Sequence, residues 1–192
     1  MSAGVWWLGG VRPENTPTRR LVGGAALVAR WARLETPDEQ IAALEAGYQR
    51  PRELVELFRA RSSAEHWTWH DDFGAPPHGP RPWQVGGPRA AEMVVNVLLP
   101  LGYAVGRSTD RPELAAAALL AYRAMPTGPW NRISRAMAAQ LFGSAGARHC
   151  RGAARQQGLL SLFKQFCWER RCDACPAGER RRAQTAMRMP SC

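Results

Sequence analysis

The amino-acid sequence predicts an all-α protein of about seven helices around a buried central helix. Apolar residues recur with the helical period in segments that begin at Thr, Asp or Pro and end near Gly. No segment alternates with period two for long, as a half-buried strand would. We expect one helical domain over residues 1–178, interrupted by a long irregular loop at 62–87 and ending in a cysteine cluster, followed by a disordered basic tail at 179–192.

The first predicted helix has a well-marked start. Thr16 is a candidate N-cap and Pro17 stands at the first helical position, where its missing N–H costs nothing. Gly23-Gly24 in the middle of the helix predicts the close approach of another element. The helical period predicts one buried apolar face: Leu21, Ala25, Val28, Ala29 and Ala32.

Two shorter helices are predicted next. Thr36-Pro37-Asp38-Glu39 has the spacing of a capping box and opens a helix that ends near Gly47. The third helix runs from Pro51 to about Arg61, and its period predicts three buried side chains: Leu54, Leu57 and Phe58.

The fourth helix, from Arg89 to about Tyr103, is apolar nearly all round and is therefore the predicted central element. Asn96 lies within it and is predicted to be buried. Because a buried amide must be hydrogen-bonded, Asn96 would either tie neighbouring backbone together or contact a ligand.

Three helices complete the predicted fold. The fifth starts at residues 110–113 and ends at Ala124, and the sixth opens after Thr127-Gly128-Pro129 and ends at Gly143. The sixth should present Arg132 and Arg135 to solvent while burying four apolar side chains: Trp130, Ile133, Met137 and Leu141. The seventh should bury Leu159, Leu162, Phe163 and Phe166.

The charge of the chain is concentrated in its second part. Residues 1–112 hold 13 Arg and 12 acidic residues, whereas residues 113–192 hold 13 basic and 4 acidic residues. Such a segment favours contact with nucleic acid or an acidic protein partner. The weak candidates for this contact are Arg132, Arg135, Arg151, Arg155, Lys164, Arg170 and Arg171. Alternatively the arginines reflect only GC-rich coding, since 25 of the 26 basic residues are Arg.

The compartment is predicted from what the sequence does not contain. It has no apolar run of the roughly 18 residues that a membrane span needs, and its first residues do not form an export signal. We therefore expect a cytoplasmic protein with no membrane partner and with cysteines kept reduced. Oligomeric state is not predicted.

The loop at 62–87 carries weak candidates for catalysis. His66 and His70 are four residues apart and would share a face of a short helix beside Asp71 and Asp72. We consider His70, Asp71 and Asp72 for metal or general-base chemistry. The alternative is that the loop's tryptophans pin it to the core while these side chains cap local turns.

The cysteines form the clearest chemical pattern. Cys167, Cys172 and Cys175 could supply three ligands to zinc or to an iron–sulfur cluster from one short segment. The fourth ligand is left open among Cys192, His70, Cys150 and His149. A helix of about 17 residues, roughly 25 Å long, separates Cys150 from Cys167 and makes Cys150 and His149 the less suitable pair. The alternative is a reduced, metal-free trio.

The chain resembles bacterial proteins grouped as the domain of unknown function 2851 family, and specifically their C-terminal part. Five motifs carry the resemblance: Arg12-Pro13-x-Asn15-x-Pro17-x-Arg19-Arg20, Trp67-x2-His70-x2-Phe73, Asn96-Val97-x-Leu99-Pro100, Gln156-Gln157-Gly158-Leu159-Leu160-x-Leu162, and Cys167-x4-Cys172-x2-Cys175-Pro176. The family is uncharacterised, so the resemblance implies no reaction. Its members are longer, with preceding acidic and histidine motifs, which implies that this chain is a fragment or a shortened member.

Three functions follow as hypotheses. The first is a metal-stabilised helical accessory or binding module whose basic C-terminal half contacts nucleic acid or an acidic partner. The second is part of a metal-dependent hydrolase or nuclease whose main catalytic segment lies outside this chain. The third is a purely structural domain.

Overall fold

The helices of a computed structural model, which describes residues 16–33 and 36–178, confirm the predicted all-α class. In these residues the extended backbone pairs only at an isolated antiparallel bridge, Ala60 with Val85. The chain divides into two compact units, residues 1–121 and 122–192. The single domain over 1–178 stays a prediction, and the predicted tail at 179–192 lies outside the described residues.

The first unit contains most of the helices. They are α1 (Pro17–Trp31), α2 (Pro37–Gln49), α3 (Pro51–Leu57), α4 (His66–Trp69), α5 (Gly87–Met93), α6 (Leu99–Ser108) and α7 (Pro112–Ala124), which ends in the second unit. A π-helical turn at Val94–Leu98 joins α5 to α6 into one long helix. None of the described helices has the length and apolar character needed to cross a membrane.

Helix α1 begins as predicted but turns a different face inward. The Thr16 hydroxyl accepts a hydrogen bond from the N–H of Arg19, and Pro17 opens the helix. The predicted apolar face is wrong, because Leu21 and Val28 are 65% and 69% exposed while Arg19 and Gly23 are buried.

The predicted close approach at the glycine pair is confirmed for one of the two residues. A Cβ atom on Gly23 would lie 3.0 Å from a methyl of Val85, whereas one on Gly24 would meet nothing within 4 Å. Residue 23 therefore sets how closely α1 packs on the end of the 62–87 loop.

The predicted capping box of α2 is present. The Thr36 hydroxyl accepts from the N–H of Glu39, and the Glu39 carboxylate accepts from the N–H of Thr36, at 3.3 and 3.1 Å. These bonds satisfy two backbone donors that the first turn leaves unpaired. In α3, Leu54 is completely buried, as its position in the pattern predicts.

The long helix of the first unit contains the main departure from the predicted burial. Asn96 is exposed, so its prediction as a buried amide is wrong. The N–H of Leu99 bonds to the carbonyl of Val94, five residues back, immediately before Pro100. Proline has no N–H to donate and its ring crowds the preceding turn, which gives a local reason for the widened turn here.

A small apolar core joins α1, α3 and α5 in the first unit. Its buried members are Ala60, Val85 and Ala90. Partly buried side chains pack against them: Ala26, Leu27, Val55, Phe58 and Met93. This core fixes both ends of the 62–87 loop, since Ala60 precedes it and Val85 lies near its end.

The second unit is built on α8 (Arg132–Phe142), α9 (Gly146–His149) and α10 (Ala153–Leu162), which continues into a π-helical turn at Phe163–Cys167. Its buried core is Met137, Ala138, Cys150 and Leu159, with Trp130, Ile133, Leu141, Leu162, Phe163 and Cys167 packed against it. The predicted interior of the sixth helix is confirmed.

Gln156 ties α10 to the segment before α8. This side chain is 6% exposed; its carbonyl accepts from the N–H of Gly128 at 3.0 Å, and its amide donates to the carbonyl of Pro129 at 3.1 Å. A buried amide that is satisfied in this way fixes the backbone on both sides.

Candidate functional site: a loop clamp, an arginine-lined cleft and a basic surface

The 62–87 loop is organised around a buried carboxylate. Asp71 is 5% exposed and lies 3.2 Å from the guanidinium groups of both Arg19 and Arg81. The ring of His78 lies 3.3 Å from the same carboxylate. Two arginines against one carboxylate leave a net positive charge at this point of the first unit.

Arg19 holds the two ends of the loop together. It is 4% exposed, and its guanidinium donates to four backbone carbonyls, those of Trp67, His70, Arg81 and Trp83, at 2.9 to 3.4 Å. The carbonyl of Asp71 in turn accepts from the hydroxyls of Thr16 and Thr18. The planar five-donor fork of arginine suits this role. We name these contacts the Arg19–Asp71 clamp.

The three catalytic candidates have separate partners. His70 Nδ1 bonds to the carbonyl of Ala75 at 2.8 Å, and its ring stacks on His66 with centroids 4.3 Å apart. The Asp72 carboxylate accepts from the N–H of Phe73 at 2.8 Å. The Asp71 carboxylate pairs with Arg19 and Arg81 in the clamp. His70 and Asp72 therefore bond within the loop, whereas Asp71 also bonds to Arg19 of α1.

An open cleft of about 720 Å³ lies beside the clamp. Four arginines line it, together with apolar and backbone surface from α1, the end of the loop and α5. They are Arg19, Arg20, Arg81 and Arg89. Sequence reasoning did not find this cleft, because its two walls are about 60 residues apart; the signal available was the Arg19-Arg20 pair in the first family motif.

The three cysteines differ in exposure. Cys172 is exposed, Cys175 is buried, and Cys167 is half-buried with its sulfur 3.8 Å from that of Met137. Burial raises the pKa of the Cys167 thiol, and the neighbouring Cys175 and Cys172 raise it further. Among the described residues, no three His, Cys, Asp or Glu side chains are grouped so as to hold a metal ion.

The fourth-ligand candidates are also located where the structure describes them. Cys150 is buried in the core of the second unit, and the ring of His149 packs against Phe142 with centroids 5.3 Å apart. His70 belongs to the first unit, and Cys192 lies outside the described residues. Ligation of a metal by the cysteines stays a prediction.

Exposure and burial predict an order of thiol reactivity in the metal-free chain. At neutral pH, iodoacetamide should modify Cys172 first and Cys150 and Cys167 much more slowly, because burial raises the pKa of both of these thiols and so reduces their thiolate fraction. Their rates should go on rising with pH above the ordinary thiol pKa. Mass spectrometry of timed digests would measure this, and equal rates at all three positions would contradict it.

In the described part of the second unit, residues 122–178, the basic side chains are all exposed. Residues 122–178 contain nine Arg and Lys side chains and two acidic ones, and every one of the nine is exposed. The predicted nucleic-acid candidates belong to this set: Arg132, Arg135, Arg151, Arg155, Lys164, Arg170 and Arg171. Arg171 lies 3.7 Å from Glu169, one of the two acidic residues.

Comparison with known protein families gives a match to the first part of the chain. A family model described as protein of unknown function (DUF2851) matches residues 1–128, which include the Arg19–Asp71 clamp and the cleft. The cysteines and most of the basic surface lie beyond the matched residues. No curated protein and no solved structure matches the chain. Because the match covers two thirds of the chain, this protein belongs to the DUF2851 family.

Proposed function

We propose that the chain is a helical binding module whose second unit contacts nucleic acid. The observation that carries the proposal is the charge of residues 122–178, where nine exposed basic side chains stand against two acidic ones. A positively charged surface attracts phosphate groups over long range and then binds them through ion pairs. Arginine is well suited to this role because its guanidinium forms two parallel bonds to one phosphate.

The helices place several of these cations together. Arg132 and Arg135 are three residues apart in α8, so both lie on one face, opposite the buried Met137. Arg155 lies in the first turn of α10, and Arg151 lies two residues before that helix begins. Such pairs can follow successive phosphates along a backbone without reading sequence.

Affinity for duplex DNA or single-stranded RNA should fall steeply with salt. Exchanging Arg132 and Arg135 for Gln should lower the slope of log K against log salt by about 2 for duplex DNA, because each phosphate that the protein neutralises contributes roughly 0.9 to that slope. Fluorescence anisotropy of labelled oligonucleotides over a salt series measures both the affinity and its salt slope. The matched control exchanges the exposed Arg52 and Arg61 of the first unit for Gln, which should leave the slope unchanged.

Two outcomes would overturn the assignment. Absence of binding at low salt would remove nucleic acid as the partner and would leave the purely structural hypothesis. Binding of an acidic peptide, with no binding of either nucleic acid, would instead support an acidic protein partner.

A metal-stabilised second unit is also part of the proposal. The support is chemical: three thiols lie in a nine-residue segment, close enough for Cys172 and Cys175 to raise the pKa of Cys167. Zinc or iron would favour the thiolates and could contribute on the order of 10 kcal/mol to folding. Anaerobic purification, a visible spectrum and measurement of bound zinc and iron would distinguish a coloured cluster, colourless zinc and no metal.

The metal-dependent hydrolase remains an alternative proposal with less support, since Asp71 is bonded in the clamp and His70 and Asp72 bond within the loop. If these residues were catalytic, changing His70 and Asp72 to Ala would abolish hydrolysis and leave thermal stability intact. A loss of stability would show that they are structural.

A further inference from the structure

We propose that the arginine-lined cleft of the first unit binds a phosphate monoester carried by an aromatic nucleoside, either as a free nucleotide or as the 5′ end of a strand. This site is distinct from the proposed surface on residues 122–178, and it lies wholly in the segment that matches the family model.

The charge of the cleft selects an anion. Four arginines and no carboxylate are among the residues that line it. The buried carboxylate of Asp71 contacts two of these arginines, Arg19 and Arg81, and so offsets only one of their two positive charges. Arg20 is exposed on α1, and Arg89 retains just over half of its side-chain exposure even though it lies 3.5 Å from Glu92. The side chains of Arg20 and Arg89 can therefore reach a phosphate that enters the cleft.

The remaining surface of the cleft suits a flat apolar group. Leu27, Val85 and Met93 are among the apolar residues that line it, and so is Trp83, which is 39% exposed. The guanidinium of Arg59 lies 3.9 Å from the centre of the Trp83 ring and holds it in place. Arginine and tryptophan together recognise nucleotides by phosphate pairing and ring stacking. A volume of about 720 Å³ is within the range of small-ligand sites.

The walls of the cleft are held before any ligand arrives. Arg19 bonds to the carbonyls of Arg81 and Trp83, and the backbone of Val85 pairs with Ala60. The loop side is thus fixed to α1 and to the core of the first unit. Preorganisation of this kind reduces the entropic cost of binding a small ligand.

Isothermal titration of the full chain with adenosine 5′-monophosphate tests the proposal, with adenosine as the phosphate-free comparison. We expect the monophosphate to bind at least about tenfold more tightly than adenosine, and Arg20→Gln with Arg89→Gln to weaken it by about tenfold or more, as removal of charge-assisted bonds predicts. Arg52→Gln with Arg61→Gln, an equal loss of two positive charges outside the cleft, should leave the affinity for the monophosphate unchanged. A 5′-phosphorylated oligonucleotide and its 5′-hydroxyl counterpart form the second arm and identify the source of the phosphate.

Equal affinity for each ligand with and without its phosphate would overturn the proposal, as would equal losses of affinity in the Arg52 and Arg61 variant and in the cleft variant. The Arg132 and Arg135 exchange should leave monophosphate binding unaltered. Failure at the cleft is therefore distinguishable from failure of the proposed nucleic-acid surface, which is read from the salt slope.

Discussion

Replacing Arg19 with Leu should lower the free energy of unfolding by about 3 kcal/mol, the largest effect that we expect from a single change in this protein. The substitution keeps much of the apolar volume but removes the donors to four carbonyls and one of the two arginines at Asp71. Buried carbonyls without a donor and a carboxylate with fewer partners are both costly. Urea unfolding followed by tryptophan fluorescence is a suitable measurement, because Trp67, Trp69 and Trp83 all belong to the affected loop.

The neighbouring residue supplies the control. Arg20 carries the same charge on the same helix but is exposed, so Arg20→Leu should change the free energy of unfolding by no more than about 0.5 kcal/mol. If the two variants unfold at the same urea concentration, the Arg19–Asp71 clamp does not hold the loop. Asp71→Asn should fall between them, because the amide keeps the shape but loses the charge that faces Arg19, Arg81 and His78.

The helix starts could be predicted because their signals are local. Thr16 before Pro17, and Thr36 three residues before Glu39, supply side-chain oxygens to backbone donors within one turn. These hydrogen bonds involve no residue from elsewhere in the chain, so the local sequence is sufficient to predict them. The inward positions of α8 were predictable for a similar reason, since its polar and apolar faces are clearly separated.

The buried faces of α1 and of the long helix depend on partners that a local pattern does not contain. In α1 the small residue Gly23 meets Val85 and the long polar Arg19 meets Asp71, while Leu21 and Val28 remain outside. The long helix is apolar nearly all round, so its sequence does not indicate which face is buried. Val97 and Leu101 are among its exposed residues.

The candidate sites show the same division between local and distant information. The cysteine spacing and the excess of arginine are visible in one stretch of chain, and so is the exposure expected of Arg132 and Arg135. The cleft forms only where α1 packs beside residues 81–89, and the clamp forms only where Arg19 contacts Asp71. Both are tertiary contacts between residues far apart in the chain. A single sequence contains no direct signal that such residues are in contact.

Gly106→Ala should destabilise the first unit by about 2 kcal/mol, within the usual range for an overpacked site. A Cβ atom at this position would lie 2.5 Å from the N of Ala115, 2.9 Å from the carbonyl oxygen of Arg111 and 3.0 Å from the Cα of Ala115. All three are backbone atoms, so no side chain can rotate away. The N–H of Arg111 also bonds to the carbonyl of Gly106 at 2.8 Å, which fixes the turn between α6 and α7 at this close distance.

Gly24→Ala is the matched control for this change, because Gly24 is also helical and in the first unit, but a Cβ atom added to it would meet no heavy atom within 4 Å. Alanine there loses less backbone entropy on folding, so this variant should be more stable by about 0.5 kcal/mol. Urea unfolding of the two variants should therefore shift in opposite directions from the unmodified chain. Equal or parallel shifts would mean that α6 and α7 can separate at Gly106 at little cost, and that their close contact is not what positions α7.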